Sequence, residues 1–138
     1  MPAKDLFHDS VKNALIKEGW VVTDDPFPIR VGGIEMYIDL GAEKIIAAEK
    51  AEQKIAVEIK TFSGPSILYD FHLAIGQFMN YRLALTEAEP ERTLYLAVPI
   101  DIYENFFALK FVQTAIRHYQ LHLIIYEAQQ QVIIKWQM

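Results

Sequence analysis

The chain has 138 residues, 52% hydrophobic and 12% aromatic, enough to build one packed domain spanning 1–138 and too apolar for a disordered chain. It has no cysteine, which excludes disulfides and thiolate zinc sites and suits a reducing compartment. A formal net charge of -5 argues against a lone DNA binder, since non-specific binding to a polyanion draws on clustered Lys and Arg. The opening MPAKDLFHDS is charged and lacks a signal-peptide core, and no run reaches the roughly 18 apolar residues of a membrane span. The expectation is a cytoplasmic protein with no membrane association.

From the N-terminus, Lys4 to Lys17 predicts an amphipathic helix: Phe7, Val11, Ala14 and Leu15 follow the helical period, and Gly19 stops it. Asp5, His8, Asp9 and Lys12 form one polar stripe, either a solvated face or, through His8 or Asp9, the edge of a functional site. Trp20 to Thr23 predicts a short strand, ended by Asp24-Asp25-Pro26-Phe27-Pro28 because two prolines cannot donate to a ladder. Gly32-Gly33 marks a turn. Ile34, Met36 and Ile38 then alternate with Glu35, Tyr37 and Asp39, which places Asp39 on the polar face of a strand from Ile34 to Leu40.

Lys44 to Lys50 and Lys54 to Lys60 predict a hairpin about a turn at Ala51-Glu52-Gln53. A loop follows in which Ser63 or Gly64 can cap a helix from about Ser66 to Glu87. Its buried side carries Ile67, Phe71, Ala74, Ile75, Phe78 and Leu85; its polar side carries Asp70, Gln77, Asn80 and Tyr81. Thr93 to Val98 reads as a buried strand, and Asp101 to Glu104 has capping-box spacing for a helix running to His118. Leu121 to Tyr126 and Val132 to Trp136 are strands flanking the turn Gln129-Gln130-Gln131. The order mixes helices with strands in the α/β (α+β) manner, without repeats or linkers.

The chemistry concentrates between Asp39 and Lys60. Glu58 and Lys60 are two apart on a strand and share a face, whereas Ile59 points into the core. Asp39 and Glu58 can hold a hard divalent ion such as Mg²⁺ or Mn²⁺, with the backbone carbonyl of Ile59 as a third oxygen. Lys60 would then stand beside the metal-bound water, lowering its pKa and offsetting charge on a phosphate under attack. The implied reaction is phosphodiester hydrolysis, in which a bound divalent ion offsets part of the chain's acidity where the phosphate sits.

Acid-x-Lys alone is a weak signal, and Glu52-Gln53-Lys54 repeats it in the predicted turn. Glu58-Ile59-Lys60 is set apart by ending an apolar strand, following an upstream acid and preceding a helix. The bland alternative is an exposed ion pair on a strand. His8, His72, His118 and His122 offer no zinc-binding spacing, and neither a nucleophile elbow nor a phosphate loop is present. Tyr103, Phe106, Phe107 and Phe111 are core residues or a partner surface.

IDLGAE (Ile38 to Glu43), VEIKTFSGPS (Val57 to Ser66) and DFHLAIGQFMNYR (Asp70 to Arg82) resemble the XisH family, the fdxN-element excision controlling factors, and the likeness extends over most of the chain. The resemblance implies a restriction-endonuclease-like core: a central mixed sheet flanked by helices, in the order αβββαβ followed by a helix and a β-hairpin. It implies Asp39 and Glu58 as the acidic pair, Lys60 as the catalytic lysine, and Gln77, with Tyr81 four residues on, as the polar helix position that accompanies them. Ile38 stands where that pattern often has proline. The implied role is excision of a DNA element alongside a recombinase and a partner excision factor. Independently of the resemblance, a two-fold homodimer, the commonest assembly, would suit double-strand cleavage. A catalytically inactive accessory protein that binds a partner or DNA is the alternative, and a small-molecule pocket on an unrelated antiparallel sheet is a third.

Overall fold

Val11, Ala14 and Leu15 recur on one side of α1 (His8–Lys17) and are fully buried, so this helix lies against the protein core. The computed structural model describes residues 5–46 and 51–138. The helix starts later than expected: Lys4 lies outside the described residues, and Asp5 precedes the first turn and accepts the Phe7 amide at 3.0 Å. His8, expected on a polar stripe, is buried with its Nε2 2.7 Å from Asp25, which also takes Lys12 at 2.8 Å. The carboxylate compensates the imidazole for leaving water.

β1 (Val21–Asp24) leads to β2 (Phe27–Val31) and β3 (Ile34–Ile38), which pair with each other as an antiparallel ribbon. The expectation that Asp24 to Pro28 carries no strand is wrong at β2. Pro28 sits opposite Tyr37 in a two-stranded ribbon, where an edge position tolerates a missing donor. The chain bends at Asp39 into β4 (Leu40–Ile46), which pairs antiparallel with β5 (Ala51–Ile59). Ala51-Glu52-Gln53 is therefore strand, not turn, opposite Ile46, Ile45 and Lys44. The segment carries no Asn-Gly or Asp-Gly signal to fix a turn, and cross-strand pairing decides its state. Residues 47–50, assigned to the first hairpin strand, lie outside the described residues.

After β5 come α2 (Ile67–Ala88), β6 (Thr93–Pro99), α3 (Ile100–Glu104), a 3₁₀ turn (Phe106–Ala108), α4 (Lys110–His118), β7 (Leu123–Glu127) and β8 (Val132–Gln137). Ser66, rather than Ser63 or Gly64, caps α2, its hydroxyl accepting the Tyr69 amide at 3.1 Å. The single helix expected from Asp101 to His118 is broken. Pro99 stands at the N-cap of α3, so the capping box does not form, and Leu109 is extended. The break turns Phe107 fully inward, its ring 5.6 Å from both Phe62 and Phe71, and leaves Phe111 69% exposed.

The six-stranded sheet has the order β1-β4-β5-β6-β7-β8; β5, β6 and β7 are parallel and the remaining pairs antiparallel. The molecule is a mixed α+β fold about a central mixed sheet. Alternation along β5 places Ile55, Val57 and Ile59 in the layer under α1, with Val11, Leu15 and Tyr126. Ala56 faces the other layer, where Phe71, Ala74, Phe78 and Leu85 of α2 and Val112 and Ile116 of α4 cover Leu96, Val98 and Ile125. Glu58 follows Ala56 onto this second, covered face.

Candidate functional site

The register of β4 on β5 sets Leu40 opposite Val57, which brings Asp39 to Glu58 at the bend between β3 and β4. Asp39 was expected on the polar face of a strand. It lies instead just beyond β3, at a corner between the ribbon and the large sheet. Each acid holds the other's strand: the Ile59 amide donates to Asp39 Oδ2 at 2.8 Å, and the Asp39 amide donates to Glu58 Oε1 at 3.3 Å. Lys60 follows the end of β5, and its Nζ is 3.5 Å from Glu58 Oε2. Asp39, Glu58 and Lys60 are thus brought together, with Ile59 between them and its side chain in the core.

The pair is not an exposed strand ion pair, because Glu58 is only 5% exposed. Burial first, and then the Asp39 charge, push its carboxyl up to about 8, with Lys60 opposing. Tyr81, half-buried on α2, has its phenol pushed up to about 12, chiefly by burial and then by the Glu58 and Asp39 charges. Its hydroxyl therefore stays protonated at neutral pH. Gln77 lies one turn earlier on α2, and its Oε1 is buried with no hydrogen-bond partner among the described residues. His8, considered for the edge of the site, commits its Nε2 to Asp25 instead.

The donor set tests the fit to a metal. No group of three or more His, Cys, Asp or Glu among the described residues is arranged to hold an ion, so a closed zinc-type centre does not fit. Two adjacent carboxylates do fit a hard cation that keeps most of its waters. The Asp39 charge adds to burial in raising the Glu58 carboxyl, and Lys60 does not offset the two.

The family model described as XisH protein matches residues 1–134. The chain belongs to the XisH family. Among solved structures it is similar to an XisH family protein from Nostoc punctiforme, at 45% identity and a TM-score of 0.88, over 97% of this chain and 100% of that one. It is equally similar to an fdxN element excision controlling factor protein from Anabaena variabilis, at 45% identity and a TM-score of 0.89, over 98% of this chain and 100% of that one. No curated protein sequence matches it.

Within this XisH chain, two residues near the site were missed from sequence. Asp5 accepts the Thr61 amide at 3.1 Å and the Thr61 hydroxyl. The Tyr126 hydroxyl donates to the Lys60 carbonyl at 3.2 Å. Both contacts join residues far apart in the chain, and no local spacing announces them. A polar cleft of about 230 Å³ lined by Asp5, Lys60, Thr61, Ser63, Gly64 and Asp70 opens beside the lysine.

Proposed function

We propose that the chain is an excision controlling factor in site-specific DNA recombination, with a restriction-endonuclease-like core and a metal-dependent phosphodiesterase site. The observation that carries this reading is the corner where Asp39 and Glu58 are locked together by backbone amides with Lys60 3.5 Å away. Asp39, Glu58 and the Ile59 carbonyl would hold Mg²⁺ or Mn²⁺. When bound, such an ion supplies Lewis acidity toward a phosphate oxygen and a more acidic water. Lys60 places a positive charge where water and phosphate meet and offsets the charge that builds up in the transition state. Gln77 steadies Lys60 or a phosphate oxygen, and the protonated Tyr81 adds a neutral donor from the next turn of α2.

The Anabaena variabilis relative is named an fdxN element excision controlling factor, and DNA, a recombinase and a partner excision factor are the partners proposed for this chain. A two-fold homodimer suits paired cuts. No helix among the described residues is long and apolar enough to cross a membrane, and a cytoplasmic location is part of the proposal. A second reading, a catalytically inactive accessory protein, is favoured by the net charge of -5 and by the exposed Leu109 and Phe111.

Single-turnover cleavage of supercoiled, branched and single-stranded DNA with Mg²⁺ or Mn²⁺ tests the first reading, with wild type beside Lys60→Ala and Glu58→Ala. Loss of cutting by about 100-fold or more in both variants is expected, the scale of removing one transition-state stabiliser. Binding of a partner factor with no DNA cut by wild type would leave the accessory reading standing.

A further inference from the structure

Lys60 is held by more than its strand. Its amide donates to the Ala97 carbonyl of β6 at 3.0 Å, and its carbonyl accepts the Tyr126 hydroxyl of β7. The next residue, Thr61, gives both its amide and its hydroxyl to the Asp5 carboxylate. Three separate parts of the fold therefore fix one peptide segment. The same carboxylate also accepts the Phe7 amide, so Asp5 ties the start of α1 to the end of β5 across 56 residues.

The segment needs this hold. Phe62, directly after Thr61, has φ +57, a left-handed conformation unfavourable for a residue with a side chain, and its buried ring packs edge-on to Phe107. The chain turns sharply there, and backbone in such a state persists only where its surroundings over-determine it. Gly64 is then tied to Asp70 at 3.0 Å, and a Cβ on Gly64 would meet the Asp70 oxygens at 2.8 and 2.9 Å. Asp5 and Asp70 hold the two ends of the loop that lines the cleft beside Lys60.

We propose that Asp5 is a positioning residue for Lys60: by gripping Thr61 it fixes the backbone from which the ammonium reaches Glu58 and the cleft. This rests on the reading of Lys60 as the lysine of a phosphodiesterase site, but the hold itself is a property of the backbone and is testable without turnover. The bonds of the Asp5 carboxylate run to Phe7 and Thr61 and not to Lys60 itself. Its effect passes through Thr61 and Lys60, and a misplacement on the order of 1 Å at such a group lowers a rate by about 100-fold.

The test uses the full chain as wild type, Asp5→Ala, Asp5→Asn and Thr61→Val. NMR relaxation of the Lys60 and Thr61 amides and of the Lys60 side chain reads the hold, and cleavage kinetics read its consequence. Asp5→Ala should lower the order parameters at Lys60 and Thr61 and speed exchange of the Thr61 amide at least ~10-fold, with other β5 amides unmoved. Asp5→Asn, which keeps one carbonyl acceptor, should restore part of both. Thr61→Val leaves the Phe7 contact at the start of α1 intact and should loosen Lys60 to a smaller degree, which separates the hold from a mere role in starting the helix. In cleavage, kcat should fall ~10- to 100-fold with KM within about twofold. Unchanged relaxation at Lys60 and Thr61 in Asp5→Ala would overturn the proposal. If wild type cuts no DNA, the phosphodiesterase reading falls, and the relaxation measurements still decide whether Asp5 holds Lys60.

Discussion

Two buried ionisable groups, Arg92 just before β6 and Glu58 on β5, have opposite surroundings. Arg92, 6% exposed, donates to the Ile55 carbonyl at 2.9 Å, bridges Glu89 at 3.0 Å and Glu43 at 3.5 Å, and lies 4.4 Å above the Phe27 ring. Every face of the guanidinium has a partner. Glu58 has a second carboxylate beside it and a single lysine at 3.5 Å. A buried charge that is fully matched is a structural joint, whereas a buried carboxyl beside a second acid keeps its proton and, in the proposed site, would exchange it for a cation. Gly41 shows how tightly the first region is built: a Cβ there would meet the Phe27 ring at 2.6 Å.

The contrast is broken most severely at Arg92. Arg92→Ala strands the Ile55 carbonyl and two carboxylates and should cost about 3 kcal/mol or more, read as a lower urea midpoint at unchanged m. Glu58→Gln should do the reverse. It removes the charge that develops as the carboxyl titrates near 8 while keeping the shape, and should raise the stability of the metal-free protein by about 1 kcal/mol at pH 8, read as a higher Tm. Equal losses at the two positions would erase the distinction.

The pH dependence sharpens the same point. Folded Glu58 keeps its proton up to about 8, whereas the unfolded chain releases it near 4.5. The native state therefore binds more protons across that window, and stability falls as pH rises through it. Asp5, raised chiefly by burial, adds in the same direction. Urea midpoints taken across this window should decline for wild type and decline less for Glu58→Gln. The smallest effect is expected at Gln77. Gln77→Leu removes a buried carbonyl with no hydrogen-bond partner among the described residues, so stability should change by no more than about 0.5 kcal/mol while DNA cleavage falls.

Where local pattern decided structure, the sequence was readable. The buried positions of α1, the Phe71, Ala74, Phe78 and Leu85 face of α2, and the period-two alternation of β5 all follow from spacing. The acids and the lysine of the candidate site were also visible, because an acid upstream and Glu-x-Lys at a strand end are local features. What escaped depends on distant partners. Pro28 argued against β2, yet β3 alone supplies its pairing. Ala51 to Gln53 lacked a strand signal of their own and are strand because β4 lies opposite. The long helix expected after Asp101 breaks where Phe107 turns into a pocket made by Phe62 and Phe71. The burial of Glu58 follows from α2 covering that side of the sheet, and the grip of Asp5 on Thr61 from α1 meeting the end of β5.

The claim that Asp39 and Glu58 form a cation site is tested most directly by titrating Mn²⁺ into wild type and Glu58→Gln near pH 8 by calorimetry. One ion per chain for wild type, bound at least ~10-fold more weakly by Glu58→Gln, is the result expected of a two-carboxylate site that loses a ligand. Equal binding by both proteins, or none by wild type, would contradict it.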